Sequence, residues 1–313
     1  MNEYDVLIVG GGAAGLSAAL VLARARRSVV VIDAGQPRNA PAAHMHGFLG
    51  SDGLPPAALL AAAKREVTGY GASVVPGTVT AIDPSADVPG AHGPSFEITL
   101  DAGQVLTASR VLVSTGLTDD VPDIPGLRER WGRDLLHCPY CHGYEVRDEP
   151  LGVLGGSDDA VAHAHLVRQW SDDVVYFSNG TAPTAEQLEH LQARGIRVVD
   201  GVVARLAISA DRLTGVELAS GEVVARTAVF VRPRLLPNTG LLSSLGCAAD
   251  ANGWVSIDAG GRTSVPGVFA AGNAVNPRAQ VITAAGEGSA AAIAINNELV
   301  EEDVSVAVAQ AHP

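Results

Sequence analysis

The chain predicts an α/β fold of two Rossmann-like nucleotide-binding units, and three observations point there. The apolar run Val6-Leu7-Ile8-Val9, typical of a strand buried on both faces, ends at the glycine turn Gly10-Gly11-Gly12-Ala13-Ala14-Gly15. The pattern half-repeats at Leu151-Gly152-Val153-Leu154, followed by Gly155-Gly156-Ser157-Asp158-Asp159-Ala160. The length of 313 residues suits two domains at roughly 100–200 residues each.

Taken in order, an Ala/Leu-rich pattern predicts a helix over 16–27, then a strand over 28–32 that ends at Asp33. Strand, glycine turn, helix, strand and acid make one complete dinucleotide-binding unit. Gly10 forms the tight turn, Gly12 admits a pyrophosphate at the helix N-terminus, and Gly15 lets helix and strand pack closely. Asp33 would accept hydrogen bonds from a ribose. Strands are expected over 96–100 and 110–113, the latter running into Ser114-Thr115-Gly116. The second unit predicts a helix over 161–170 and a strand over 173–177. Beyond it, 223–231 reads as a strand, 233–237 as a hinge, and 267–273 as a buried strand ending in a turn. An Ala-rich helix is expected over 280–300, with 301–313 fraying.

Composition narrows the partners. Hydrophobic residues make up 47% of the chain, too many for a disordered protein. Lys and Arg number 21 against 34 Asp and Glu, and the net charge of −13 repels phosphate backbones, so no nucleic-acid partner is expected. No apolar run approaches the ~18–20 residues of a membrane span, and the N-terminus lacks a basic leader region, so the expectation is a cytoplasmic protein with no membrane partner.

Cys138-Pro139-Tyr140-Cys141 carries the chemistry. Two intervening residues permit an internal disulfide, and the flanking His137 and His142 can favour a reactive thiolate. A zinc site would need two more ligands, and the sequence has no second CxxC or HxxxH pair, so no metal is expected. Cys138-x-x-Cys141-His142 also matches the attachment pattern of a c-type haem, which normally accompanies export. Cys247 reads as an inert core residue, and His44 and His46 as a solvated loop or as part of the site.

The first fingerprint, a CxxC ahead of a second fingerprint, and the strand Val268-Phe269-Ala270-Ala271-Gly272 together resemble the low-molecular-weight thioredoxin reductases along the whole chain. The resemblance implies a thioredoxin reductase-like fold with three-layer ββα domains. A discontinuous FAD domain would comprise 1–116 and 237–313, with an NAD(P)H-type domain over 117–236 carrying the CxxC. It implies FAD as cofactor, with Gly10, Gly12, Ala13, Ala14, Gly15 and Asp33 at its ADP half. Arg38, Asn39, Thr115 and Gly116 would add contacts, Gly272 and Asn273 would meet the ribityl chain, and Gln280 and Val281 the flavin ring. A homodimer is the family's usual assembly.

The departures sharpen the reading. The family's Gly-Gly-Gly-Asp-Thr-Ala is here Gly155-Gly156-Ser157-Asp158-Asp159-Ala160, with an extra carboxylate where a pyrophosphate would bind. Its His-Arg-Arg stretch, which pairs with the 2′-phosphate of NADPH, is here Ser178-Asn179-Gly180. Functional NADPH binding is therefore not expected. His137-Cys138-Pro139-Tyr140-Cys141-His142-Gly143-Tyr144-Glu145, with Pro37-Arg38-Asn39 and His44-Met45-His46-Gly47, resembles the FAD-dependent dithiol oxidases of gliotoxin and holomycin biosynthesis. That branch implies a small dithiol as substrate and O2 as electron acceptor. Cys138, Cys141, His137 and His142 are then the expected catalytic residues. A reductase driven by NADPH or ferredoxin, or a redox-sensing flavoprotein without turnover, are the alternatives.

Overall fold

A computed structural model describes residues 3–85 and 93–311; the rest, including the last two residues of the expected fraying tail, lie outside it. Its first sheet has a parallel part in the order Ser73–Pro76, Val29–Asp33, Glu3–Val9, Val105–Val113, with Val268–Ala270 beside the last. The strand Val105–Val113 has two neighbours along one edge. Its C-terminal half pairs in parallel with Val268–Ala270, while its N-terminal half pairs antiparallel with Phe96–Leu100, which in turn pairs with Val79–Pro84.

The same plan recurs in the middle of the chain. A parallel sheet runs in the order Arg197–Val199, Val174–Phe177, Leu151–Leu154, Ala228–Phe230, Leu135–Leu136. A three-stranded antiparallel sheet of Val203–Ser209, Arg212–Leu218 and Val223–Val224 accompanies it. Near-continuous Val, Ile and Leu runs form the parallel strands because both faces are covered, and Leu7, Ile8, Val30 and Val31 are wholly buried. In each parallel sheet the strand order reverses beside the glycine-turn strand, which opens a crevice at the strands' C-terminal ends.

Three expectations change. The stretch 223–231 is two strands in two different sheets, because Arg226 turns inward between them to pair with Asp173 (2.6 Å). The segment expected to be a hinge contains a strand, Arg234–Pro237, paired antiparallel with Leu117–Asp120; the two chain crossings between the sheets thus brace each other. The last helix does not fray at 301: it spans Val281–Ala311. No Gly or Pro interrupts it there, and ion pairs hold the stretch 298–303 where the fraying was expected to start. Buried Arg110 binds Glu298 (3.1 Å) and Glu302, and Arg27 binds Asp303 (2.9 Å). Earlier in this helix, Gly288 lies so close to the helix Ala13–Arg24 that a Cβ there would sit 2.0 Å from the Ala14 carbonyl oxygen.

Candidate active site

The first glycine turn is shaped for a diphosphate. Gly10 has φ +105°, and a Cβ there would fall 2.6 Å from the Ser114 carbonyl, so only glycine makes this turn. Gly12 caps the helix Ala13–Arg24 without any side-chain hydrogen bond, and a Cβ on it would meet nothing within 4 Å. Backbone donors therefore face an open cradle at the helix's positive end. Asp33, at the end of its strand, accepts from Gly11 N (3.3 Å), Gly35 N (3.1 Å) and the Lys64 ammonium (2.7 Å). Burial works against its charge, yet Lys64 and the two N–H groups hold its carboxyl below the ordinary range. This arrangement fits the ADP half of FAD. Ala13 and Ala14 lie in the helix's first turn, with Ala14 buried under Gly272 and Gly288.

A second group of expected residues gathers at the same C-terminal edge of the parallel strands, with Gly272 against Ala14. Gly272 donates its N–H to Glu287 (2.9 Å), and Asn273 donates to the carbonyls of Asn276 (2.9 Å) and Ala279 (3.0 Å). The Asn273 side-chain oxygen accepts from Arg38 (3.1 Å), whose guanidinium also grips Asp119 with two hydrogen bonds (2.6 and 2.7 Å). Asn39 lies next in the chain, its carbonyl accepting from Ala42 N. Thr115 and Gly116 are tied to Asn238: the Thr115 hydroxyl donates to its carbonyl (2.7 Å), and Gly116 O accepts its N–H (3.0 Å). No local motif singles out Asp119, Asn238 or Glu287; their roles come from Arg38, Thr115 and Gly272, which folding brings beside them.

Cys138 and Cys141 form a disulfide, with Cys141 closing the one-turn helix Pro139–His142 that Cys138 caps. Gln280, just ahead of the long helix, places its Nε2 3.9 Å from Cys141 Sγ. The disulfide from the middle of the chain thus meets the element expected at the flavin ring.

The two histidines differ. His137 stacks on Trp131 and its Nδ1 lies 3.3 Å from the Val231 carbonyl. A carbonyl only accepts, so Nδ1 carries the proton and Nε2 is left with its lone pair. Burial, followed by the Arg38 guanidinium, pushes His137 below the ordinary histidine range. His142 is also pushed down by burial, but the Glu145 carboxylate opposes this. The loop at 44–54 divides: His44 is exposed, whereas the His46 ring lies between Asp52 and Glu145, 3.3 Å from each. The solvated-loop reading fails for His46. Cys247 is buried beside Thr263, and burial pushes its thiol up.

The second glycine turn carries a different occupant. Asp159 is bound by Arg232 (2.8 Å), so the crevice between Leu151–Leu154 and Ala228–Phe230 is bridged by an internal ion pair. The extra carboxylate expected from the sequence is thus neutralised rather than bare. Asn179 and Ser178 are turned inward, accepting from Val203 N (3.0 Å) and Gly201 N (3.3 Å). In the helix that follows this turn His163 is buried, its ring 6.4 Å from that of His137 and edge-on to Phe230. Burial, with Arg232 and His137 adding to it, pushes His163 down to about 3. Among the described residues, no helix is long and apolar enough to cross a membrane, and no three His, Cys, Asp or Glu side chains converge as a metal-ligand set.

Comparison with known proteins agrees with this geometry. Residues 4–288 match the family model described as pyridine nucleotide-disulphide oxidoreductase. A crystal structure of HlmI is similar at 56% identity with a TM-score of 0.95, covering 99% of this chain and 96% of that one. Thioredoxin reductase tcpT of Claviceps purpurea is 33% identical, over 87% of this chain and 87% of its own. Thioredoxin reductase sirT of Leptosphaeria maculans is 30% identical over 96% of each. The chain belongs to the pyridine nucleotide-disulphide oxidoreductases: it is an FAD flavoprotein and oxidoreductase with the thioredoxin reductase-like α/β fold.

Proposed function

We propose that the protein is a dithiol oxidase, which closes a disulfide in a small-molecule dithiol through Cys138 and Cys141 and delivers the electrons to O2 as hydrogen peroxide. Segments 1–116 and 237–313 would bind FAD, and 117–236 would carry the cysteines. A cytoplasmic homodimer is the expected setting. Bound FAD supplies a two-electron acceptor for the cysteine pair and a route from it to oxygen.

The chain's own residues perform the thiol chemistry. A substrate thiol gives its proton to His137 Nε2, and the thiolate attacks Cys138 Sγ. The Cys138–Cys141 bond breaks, and Cys141 leaves as a thiolate beside the donor amide of Gln280. The second substrate thiolate then attacks the substrate sulfur of the mixed disulfide, and Cys138 departs. One S–S bond is lost in the enzyme and one is gained in the product. His137 suits the base role because burial and Arg38 keep it neutral and Val231 fixes its tautomer.

The observation that carries the direction of electron flow is the Asp159–Arg232 pair. It stands where a nicotinamide dinucleotide would lay its pyrophosphate, and Ser178-Asn179-Gly180 offers no cation for a 2′-phosphate. Such charge-assisted contacts are each worth about 1.5–3 kcal/mol, so their loss weakens NADPH binding by orders of magnitude. The test is anaerobic: dithiothreitol should bleach the flavin absorbance, millimolar NADPH should leave it unchanged, and air should restore it with release of peroxide. His137→Ala should slow the bleaching by roughly 10²–10⁴-fold. Rapid bleaching by NADPH would instead establish a reductase.

A further inference from the structure

Lys64, the single lysine of the chain, stands at the first glycine turn although no motif places it there. It belongs to the helix Pro56–Gly69, where buried Val67, with Leu60 and Ala63 packed against the same core cluster, seats one face on the protein. Lys64 lies one turn beyond Leu60, at the rim of that face. The packing carries its ammonium to 2.7 Å from Asp33 Oδ2, across 31 residues of sequence.

The hydrogen-bonding capacity of Asp33 is nearly used up. A carboxylate offers about four lone-pair sites, two on each oxygen. Oδ1 accepts from Gly11 N (3.3 Å) and Gly35 N (3.1 Å), which fills it, and Oδ2 accepts from Lys64, which leaves one site. The carboxyl is also pressed against the turn, since a Cβ on Gly11 would lie 2.5 Å from its carbon. A ribose presents two neighbouring hydroxyls, and Asp33 has room to accept from one. Lys64 supplies what the other needs. Its ammonium has three N–H donors, one of them spent on Asp33; among the described residues no second acceptor is bonded to it, and its side chain is 40% exposed.

We infer that Asp33 and Lys64 together read the adenosine diol of FAD as a mixed pair, one hydroxyl donating to Asp33 and its neighbour accepting from Lys64. Lys64 is thereby a cofactor-binding residue in its own right, and not only the counter-ion of Asp33. Charge points the same way. The diphosphate of FAD is anionic, and an unpaired carboxylate beside it would repel it, whereas the Lys64–Asp33 pair is neutral. The assignment concerns the cofactor alone and holds whichever way electrons flow.

The test titrates apoprotein with FAD and with its 2′-deoxyadenosine and 3′-deoxyadenosine analogues, read by flavin fluorescence. In the parent protein each analogue should bind about tenfold more weakly than FAD, the scale of one hydrogen bond to a charged group. Lys64→Met, which suits a helix, should weaken FAD about tenfold and Lys64→Arg should recover most of that, with apoprotein melting reporting the intact fold. In Lys64→Met one analogue should then bind as well as FAD, because the hydroxyl it lacks has already lost its partner, while the other keeps its tenfold deficit. Acetylation of Lys64 by an N-hydroxysuccinimide ester, followed by peptide mass spectrometry, should slow severalfold on adding FAD or ADP-ribose. Unchanged FAD affinity in Lys64→Met, an equal loss for all three ligands, or acetylation indifferent to both nucleotides would overturn the assignment.

Discussion

The glycine turns at 10–15 and 155–160 share a local plan, and they have been filled differently. At the first, Gly12 leaves an open cradle of backbone donors, and Asp33 waits at the end of the next strand. At the second, Asp159 caps the helix and Arg232 crosses the crevice to meet it. The helices behind the turns differ as well. Ala13–Arg24 buries only alanine, leucine and glycine, whereas Ala160–Val167 buries His163. A nucleotide-binding architecture persists when its ligand contacts are replaced, because the parallel sheet and its apolar cover hold it without the ligand. Function is read from the crevice, not from the sheet.

The sharpest way to break this comparison is to add a side chain to each turn. A Cβ at Gly15 would lie 2.0 Å from the Gly10 carbonyl oxygen, so Gly15→Val should cost both fold and flavin. At Gly156 the nearest atom would be Asn179 Nδ2 at 3.5 Å, and the penalty is the strain of φ +101°, about 1–2 kcal/mol. Gly156→Ala should therefore keep a full flavin complement and lose only a few degrees of melting temperature. Equal loss of flavin in both variants would show that the second turn also serves the cofactor.

A smaller effect separates the two acids. Asp33→Ala removes a charged acceptor from the expected ribose site and should weaken FAD binding about 10–100-fold, measured by flavin fluorescence on titrating apoprotein. Asp159→Ala should leave that affinity unchanged, since its carboxylate is spent on Arg232.

The smallest effect concerns pH. His163 is held neutral in the fold, down to about 3, whereas in the unfolded chain it protonates near 6.5. The unfolded state then binds more protons in between, so stability present above about pH 6.5 is lost as pH falls towards 3. Melting temperatures from pH 7 to 4 should fall, and His163→Leu should flatten that slope. An identical slope in the variant would place the acid sensitivity elsewhere.

Much of this was legible along the chain because it is local. A β-branched run followed by Gly10-Gly11-Gly12 specifies its own strand, turn and helix, and Cys138 and Cys141 are close enough to pair within one helical turn. The long helix was misjudged at its far end for the opposite reason. The turn at 298–303, where fraying was expected to begin, is held by Arg27 and Arg110, far away in the sequence. The strand expected over 223–231 likewise split because Arg226 finds Asp173 across the sheet.

The amino-acid sequence by itself determined the two nucleotide-type units, the flavin fingerprint and the reactive cysteine pair, since each depends on neighbours within a few tens of residues. Only the tertiary structure decided what each polar side chain faces. Arg232 neutralises Asp159, Arg38 grips Asp119 and Asn273, and His46 leaves solvent to bridge Asp52 and Glu145. An ion pair forms wherever folding brings opposite charges within about 4 Å, and that distance is set by the packing of sheets and helices, which spacing along the chain does not encode.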